Sequence, residues 1–220
     1  MGVAGSTPAR WPATAGAASQ SVSVRPVPSS LLSGRLDARL RAFIRSAPPG
    51  SFLTAWHEAG NLIGYPAYIN PPNMRAVHRH MHRLCRGTHV SYGPILCMRP
   101  ESMPPWLVPG MDWYGLDIYD WPQFHFPGGP LDARGRLWPR LRQWQAVIRH
   151  VSGHRNPALA ICETNSLHPS DRPKWLLGVA EWMARNGGHR MLTFWRRGGV
   201  GPWLPHDRAV ISALRQCSRL

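Results

Sequence analysis

Glutamate is scarce in this chain of 220 residues: only Glu58, Glu101, Glu163 and Glu181 occur. Two of the four follow short apolar runs. Ser51-Phe52-Leu53-Thr54-Ala55 leads through Trp56 and His57 to Glu58, and Ala158-Leu159-Ala160-Ile161-Cys162 leads to Glu163. A carboxylate at the end of a buried strand is costly unless something pairs with it or uses it. Two such groups brought together could cleave a glycosidic bond. One protonates the departing oxygen, and the other attacks the anomeric carbon or activates water on the opposite face. The acid needs a pKa raised by burial or a nearby negative charge, whereas the nucleophile needs donors that keep it ionised.

Other residue types fit the same chemistry. Trp56, Trp113, Tyr119, Trp121 and Trp195 fall at or just past predicted strand ends, where aromatic faces can stack on sugar C–H faces. Trp113 reads as core packing and Trp195 as a sugar platform. Strand alternation puts Asp117 and Tyr119 on one face, toward a bound sugar. With His57, Asn61, Trp121 and Asn165 they complete the expected substrate-binding set. Competing constellations are weaker. His57-Glu58 is no zincin motif, because Asn61 stands where a second histidine is needed. His78, His80 and His82 read as a solvated helix face, and Asp112, Asp117 and Asp120 as hydrogen-bonding groups. Cys85, Cys97, Cys162 and Cys217 show no CxxC spacing, so neither a metal site nor a disulfide framework is expected. No cofactor is expected.

These residues need a scaffold, and the hydrophobic pattern supplies one. Strands are predicted at Ser21 to Arg25, Ser51 to Glu58, Val90 to Met98, Asp112 to Tyr119, Ala158 to Cys162 and Met191 to Trp195. Helices are predicted at Leu31 to Ser46, Asn73 to Cys85, Leu137 to Val151, Lys174 to Asn186 and Pro205 to Cys217. Alternation of strand and helix implies parallel strands with right-handed crossovers. The long Gly/Pro/aromatic loops follow strands, which places a site at the strands' C-terminal ends. A doubly wound sheet would alternate in the same way, but no glycine-rich phosphate turn follows an early strand.

The net charge is +15, carried by 25 arginines and a single lysine, Lys174. The arginines are scattered over every predicted helix and form no dense run, so nucleic acid is not an expected partner. An acidic polysaccharide is a lesser option that this charge leaves open. No apolar run approaches the ~20 residues of a membrane span, and no membrane is expected. Residues 1 to 20 are rich in Ala, Gly, Ser and Pro and carry no secretory pattern.

In order and spacing, Trp56-His57-Glu58, Asp112-Trp113-Tyr114-Gly115-Leu116-Asp117-Ile118-Tyr119, Cys162-Glu163-Thr164 and Thr193-Phe194-Trp195 resemble the clan A glycoside hydrolases. The similarity is greatest to family 26, the β-mannanase-type barrels, in which a His-Glu pair replaces the more usual Asn-Glu. The resemblance implies an α/β fold of the (β/α)8 TIM-barrel type and retaining hydrolysis of O-glycosidic bonds in a poly- or oligosaccharide. It makes Glu58 the acid/base after strand four and Glu163 the nucleophile after strand seven. His57 would position the reacting groups, Tyr119 would hydrogen-bond the nucleophile, and Trp195 would lie beneath the reacting sugar. Ala59-Gly60-Asn61-Leu62 departs from the acceptor-site aromatics of the family's mannanases. In this numbering Ser21 to Arg25 is strand three. The expected fold is thus an incomplete barrel of strands three to eight over residues 21 to 220, behind a disordered or non-native lead at 1 to 20. Open barrel edges make self-association an expectation, and export is expected of a longer native chain. The alternative expectation is a non-catalytic, carbohydrate-binding or inactive barrel remnant.

Overall fold

The computed structural model describes residues 2–3, 10–12, 20–60, 65–120, 137–166, 169–186, 189–194 and 212–213. Among these the strands are β1 (Gly2–Val3), β2 (Ser21–Val24), β3 (Ser51–Ala55), β4 (Val90–Tyr92), β5 (Ile95–Leu96), β6 (Tyr114–Asp120), β7 (Leu159–Ser166) and β8 (His189–Phe194). They alternate with helices α1 (Pro28–Leu32), α2 (Asp37–Arg45), α3 (Pro71–Cys85), α4 (Leu137–Ser152) and α5 (Arg172–Asn186). Every pairing is parallel, and spatial order follows sequence order, β1-β2-β3-β4 in one sheet and β5-β6-β7-β8 in the other. A doubly wound sheet reverses its order at a switch point, whereas a barrel does not. The order therefore selects the barrel type.

The predicted strand from Val90 to Met98 is two short strands. Gly93 and Pro94 interrupt it, and Pro94 has no N–H to give a ladder. The Gly93 N–H donates to the Leu53 carbonyl (3.1 Å), while the Pro94 carbonyl accepts from Gly115 N–H (2.8 Å). One segment thus pairs backward through β4 and forward through β5, and this joins the two sheets at a seam. Gly93 is required there: a Cβ would stand 2.3 Å from the Trp113 carbonyl oxygen.

Two apolar layers follow from strand alternation. Val22, Val24, Leu53, Ala55, Tyr92, Leu96, Tyr114, Leu116, Ile118, Leu159 and Ile161 pack with helical residues such as Leu40, Phe43, Val77, Met81, Trp144 and Leu176. A smaller cluster on the other face, Ile95, Trp113, Ala160 and Cys162 with Phe52 and Ala158 beside it, contains no helical residue. A Cβ on Gly115 would lie 2.6 Å from Cys162 Sγ and 2.9 Å from both Ile95 and Trp113, so this inner layer is full without it. Trp113 is 1% exposed, as its core reading requires. Cys97 and Cys162 are free and buried.

Several expectations need correction. The helix predicted over Leu31 to Ser46 is two helices, because the chain turns at Ser33 and at Gly34, whose φ of 78° is left-handed. Strand β7 runs on to Ser166, so Glu163 lies within it and not after it. The three histidines of α3 are not a solvated face. His78 and His80 are buried, and all three bond to neighbouring elements: His78 to Tyr92 (2.7 Å), His80 to Asp37 (2.6 Å) and His82 to Asp112 (3.1 Å). Residues 1 to 20 also contribute contacts. Gly2–Val3 pairs with Ser23 and Val24, and Trp11 stacks on Phe43 at 4.8 Å. A single anchoring aromatic has no period, which is why that segment reads as a lead. Of the helix predicted over Pro205 to Cys217, only Ser212 and Ala213 are described, and both are helical. Among the described residues no helix is long and apolar enough to cross a membrane.

Candidate active site

The site lies at the C-terminal ends of β3, β6 and β7. After Ala55 the chain leaves β3 through a turn in which Trp56 (φ 54°) and Glu58 (φ 58°) are both left-handed. For residues with a Cβ this costs roughly 1–3 kcal/mol each and persists only where surroundings enforce it. Here they do. Trp56 N–H donates to the Val24 carbonyl (2.9 Å), its indole N–H to the Pro26 carbonyl (2.8 Å), and Glu58 N–H to the Ile95 carbonyl (3.1 Å). Trp56 is 6% exposed and packs edge-on against Tyr65 and Tyr68, so it supports the turn from below and is no open platform.

A register slip aims Glu163. Leu116 is opposite Ile161, but Asp117 is opposite Glu163, which leaves Cys162 as an extra residue. Strict alternation would put Glu163 on the face of Leu159 and Ile161, against the helices. The bulge moves it to the face of Asp117.

His57 joins the two strands. Its Nε2 lies 2.5 Å from Asp117 Oδ2 and 3.4 Å from Glu163 Oε1. The Tyr119 hydroxyl donates to Glu163 Oε2. Tyr65 donates to the His57 carbonyl at 2.5 Å and so fixes the backbone beside Glu58. The Cys97 thiol hydrogen-bonds Glu58 and, pushed up by burial, remains a donor.

The electrostatics follow from this packing. Burial opposes charge on His57, yet Asp117, Glu163 and Glu58 together raise its pKa from 6.5 to about 9, so it is an imidazolium at neutral pH. Asp117 is wholly buried; burial pushes its carboxyl up, against the pull of His57. The charge-assisted bond between the two offsets part of the cost of burial. Burial also raises Glu163, opposed by His57 and by the Tyr119 hydroxyl. Burial and Glu163 hold the Tyr119 hydroxyl protonated, which keeps it a donor. Glu58 enters the electrostatics of His57, Asp117, Tyr119 and Glu163 alike, so the two glutamates converge on one cluster.

Among the described residues, the ligand atoms of His57, Asp117 and Glu163 lie within 4.8 Å of one another and are the set that could hold a metal. The 2.5 Å His57–Asp117 contact is the spacing of a hydrogen bond; two ligands ~2.0–2.2 Å from one ion stand farther apart. Of the sequence-predicted set, the structure brings together His57, Glu58, Asp117, Tyr119 and Glu163. Asn165 lies in β7 opposite Tyr119 in register, and its backbone alone is described. Asn61, Trp121 and Trp195 lie outside the described residues. Sequence reasoning missed Tyr65, Cys97 and Arg25. The loop composition around Tyr65 was a signal, and Arg25 directly follows β2.

No protein-family model matches this chain, and no curated protein does. Among solved structures it is similar to a glycoside hydrolase family 5 (GH5) xyloglucan-specific endo-β-1,4-glucanase from a metagenomic library, in complex with cellotriose. The TM-score is 0.56 at 11% sequence identity, over 91% of this chain and 71% of that one. At this identity the likeness speaks for the fold and gives no preference to family 26. The chain has an α/β architecture like that of this solved structure, with its described strands in the order of an incomplete barrel.

Proposed function

We propose that this protein is a retaining glycoside hydrolase acting on O-glycosidic bonds of a poly- or oligosaccharide. The observation that carries the reading is the environment of Glu163, which has the Tyr119 hydroxyl on one carboxylate oxygen and His57 on the other. A hydroxyl donor on one oxygen and the positive charge of His57 beside the other favour the ionised, nucleophilic form. Glu163 attacks the anomeric carbon, and Glu58, in the turn after β3, protonates the leaving oxygen. In the second step Glu58 takes a proton from water, which displaces the sugar from Glu163. The likeness to a GH5 enzyme solved with cellotriose supports a carbohydrate ligand. The finer similarity to family 26 rests on the His57-Glu58 pair.

The test is kinetic. Glu58→Ala and Glu163→Ala should each lower turnover of an aryl glycoside by about three or more orders of magnitude. Activity that survives both changes rejects the assignment. A barrel that binds carbohydrate without cleaving it is the second reading. It is favoured by the strand order, which fills seven barrel positions among the described residues when β4 and β5 count as one. Glycan binding without product release would select it.

A further inference from the structure

Arg25 follows the last residue of β2 and lies beside Trp56 at the end of β3. Its guanidinium carbon stands 5.3 Å from the ring centre of Tyr65 and 5.9 Å from that of Trp56, and the two rings, 5.7 Å apart, form an aromatic corner against it. Nη2 makes one long contact, 3.4 Å, with the Tyr65 hydroxyl, and that hydroxyl donates to the His57 carbonyl. The guanidinium is thus two hydrogen bonds from the backbone that presents Glu58.

Among the described residues its charge meets aromatic rings and no counter-ion. Among the described residues no carboxylate reaches Arg25, although Glu58, Asp117 and Glu163 all act electrostatically on the adjoining Tyr65. Its Nε is shut away from solvent without a hydrogen-bond partner. The residue as a whole is only partly buried. An orphaned buried N–H is unfavourable by about 1–3 kcal/mol. A planar, always-charged fork seated against two aromatic rings matches a carboxylate in a bidentate pair.

We infer that Arg25 is a subsite for an acidic sugar: the glycan bound here carries a carboxylate, as in a uronic acid residue, that docks on the guanidinium. The assignment rests on the sugar-site reading above and adds the substrate class. The register is constrained as well. Glu58, Asp117 and Glu163 repel an anion at the scissile bond, so the acidic sugar lies on the β2 side of the reacting one. The net charge of +15 supplies a field that attracts acidic polymers.

The experiment is calorimetric binding to the Glu163→Gln protein, which does not depend on turnover. The probes are oligogalacturonate, oligoglucuronate and oligomannuronate, each paired with its carboxyl-reduced neutral counterpart. At least one acidic member should bind about 10–100-fold more tightly than its partner, the range of a charge-assisted hydrogen bond. That preference should collapse on adding Arg25→Met and persist in part with Arg25→Lys. If no acidic probe outbinds its reduced partner, or the preference survives Arg25→Met, the inference is overturned. If the preference is present while the wild type hydrolyses none of the probes or aryl glycosides, the subsite stands and the hydrolase reading falls.

Discussion

His57 Nε2 and Asp117 Oδ2 are 2.5 Å apart, and Asp117 is fully buried while His57 retains 19% side-chain exposure. The inner partner holds the outer one in its charged form. His57 in turn lies 3.4 Å from Glu163. A buried carboxylate thereby acts on the proposed nucleophile through an imidazolium.

Asp117→Asn removes the largest influence that raises the His57 pKa and leaves the burial that lowers it. The His57 pKa should fall from about 9 by at least about one unit. An NMR titration of the imidazole reads this directly. An unchanged value would mean that Asp117 does not hold the charge.

Two histidines bend stability in opposite directions with pH. His57 binds its proton more tightly folded than unfolded, so its contribution is complete below pH 6.5 and lost as pH rises through about 9. Asp117, also raised, acts in the same sense. His78 is buried and lowered to about 3, so its contribution is present above pH 6.5 and lost as pH falls toward 3. Thermal melts should show the alkaline limb flattened in His57→Asn and the acid limb flattened in His78→Asn. Limbs that parallel the wild type in both variants would contradict this.

Tyr119→Phe deletes the hydroxyl that donates to Glu163. Glu163 is already raised by burial, and losing a donor to its ionised form raises it further. The acid limb of kcat/KM should move to higher pH by about one unit, with turnover lower by about tenfold or more. A pH–rate profile superimposable on the wild type would refute the role.

Gly115→Ala forces a methyl group against Cys162 Sγ, Ile95 and Trp113 on the inner face. Overpacking of this kind destabilises by about 1–3 kcal/mol. A denaturant melt reads the loss, and a midpoint equal to that of the wild type would mean that the inner layer relaxes freely.

The strands, their alternation with helices and the Glu58–Glu163 pair are legible in the sequence, because burial stamps a period on strands and helices and glutamate is rare here. Asp117 and Tyr119 on one face follow from the same period. The aim of Glu163 does not, since it depends on an extra residue at Cys162 that no alternation pattern reveals. The α3 histidines misled because a polar residue type says nothing of its partner: Tyr92 and Asp37 are distant in sequence and satisfy His78 and His80 only in the fold. Arg25 was one arginine among 25, and only its aromatic neighbours single it out.

The interruption at Gly93 and Pro94 divides the sheet into two leaves. Glu58 follows the last residues of one leaf, and Glu163 belongs to the other. The gap between the two carboxyl groups is therefore a distance across that seam, fastened by the Glu58 N–H on the Ile95 carbonyl and by the reach of His57 to β6 and β7. In a two-carboxylate hydrolase that gap decides whether water fits between the second carboxylate and the anomeric carbon, and hence the stereochemistry of the product. Small changes at the joint, far from either carboxyl group, can thus act on the anomeric outcome.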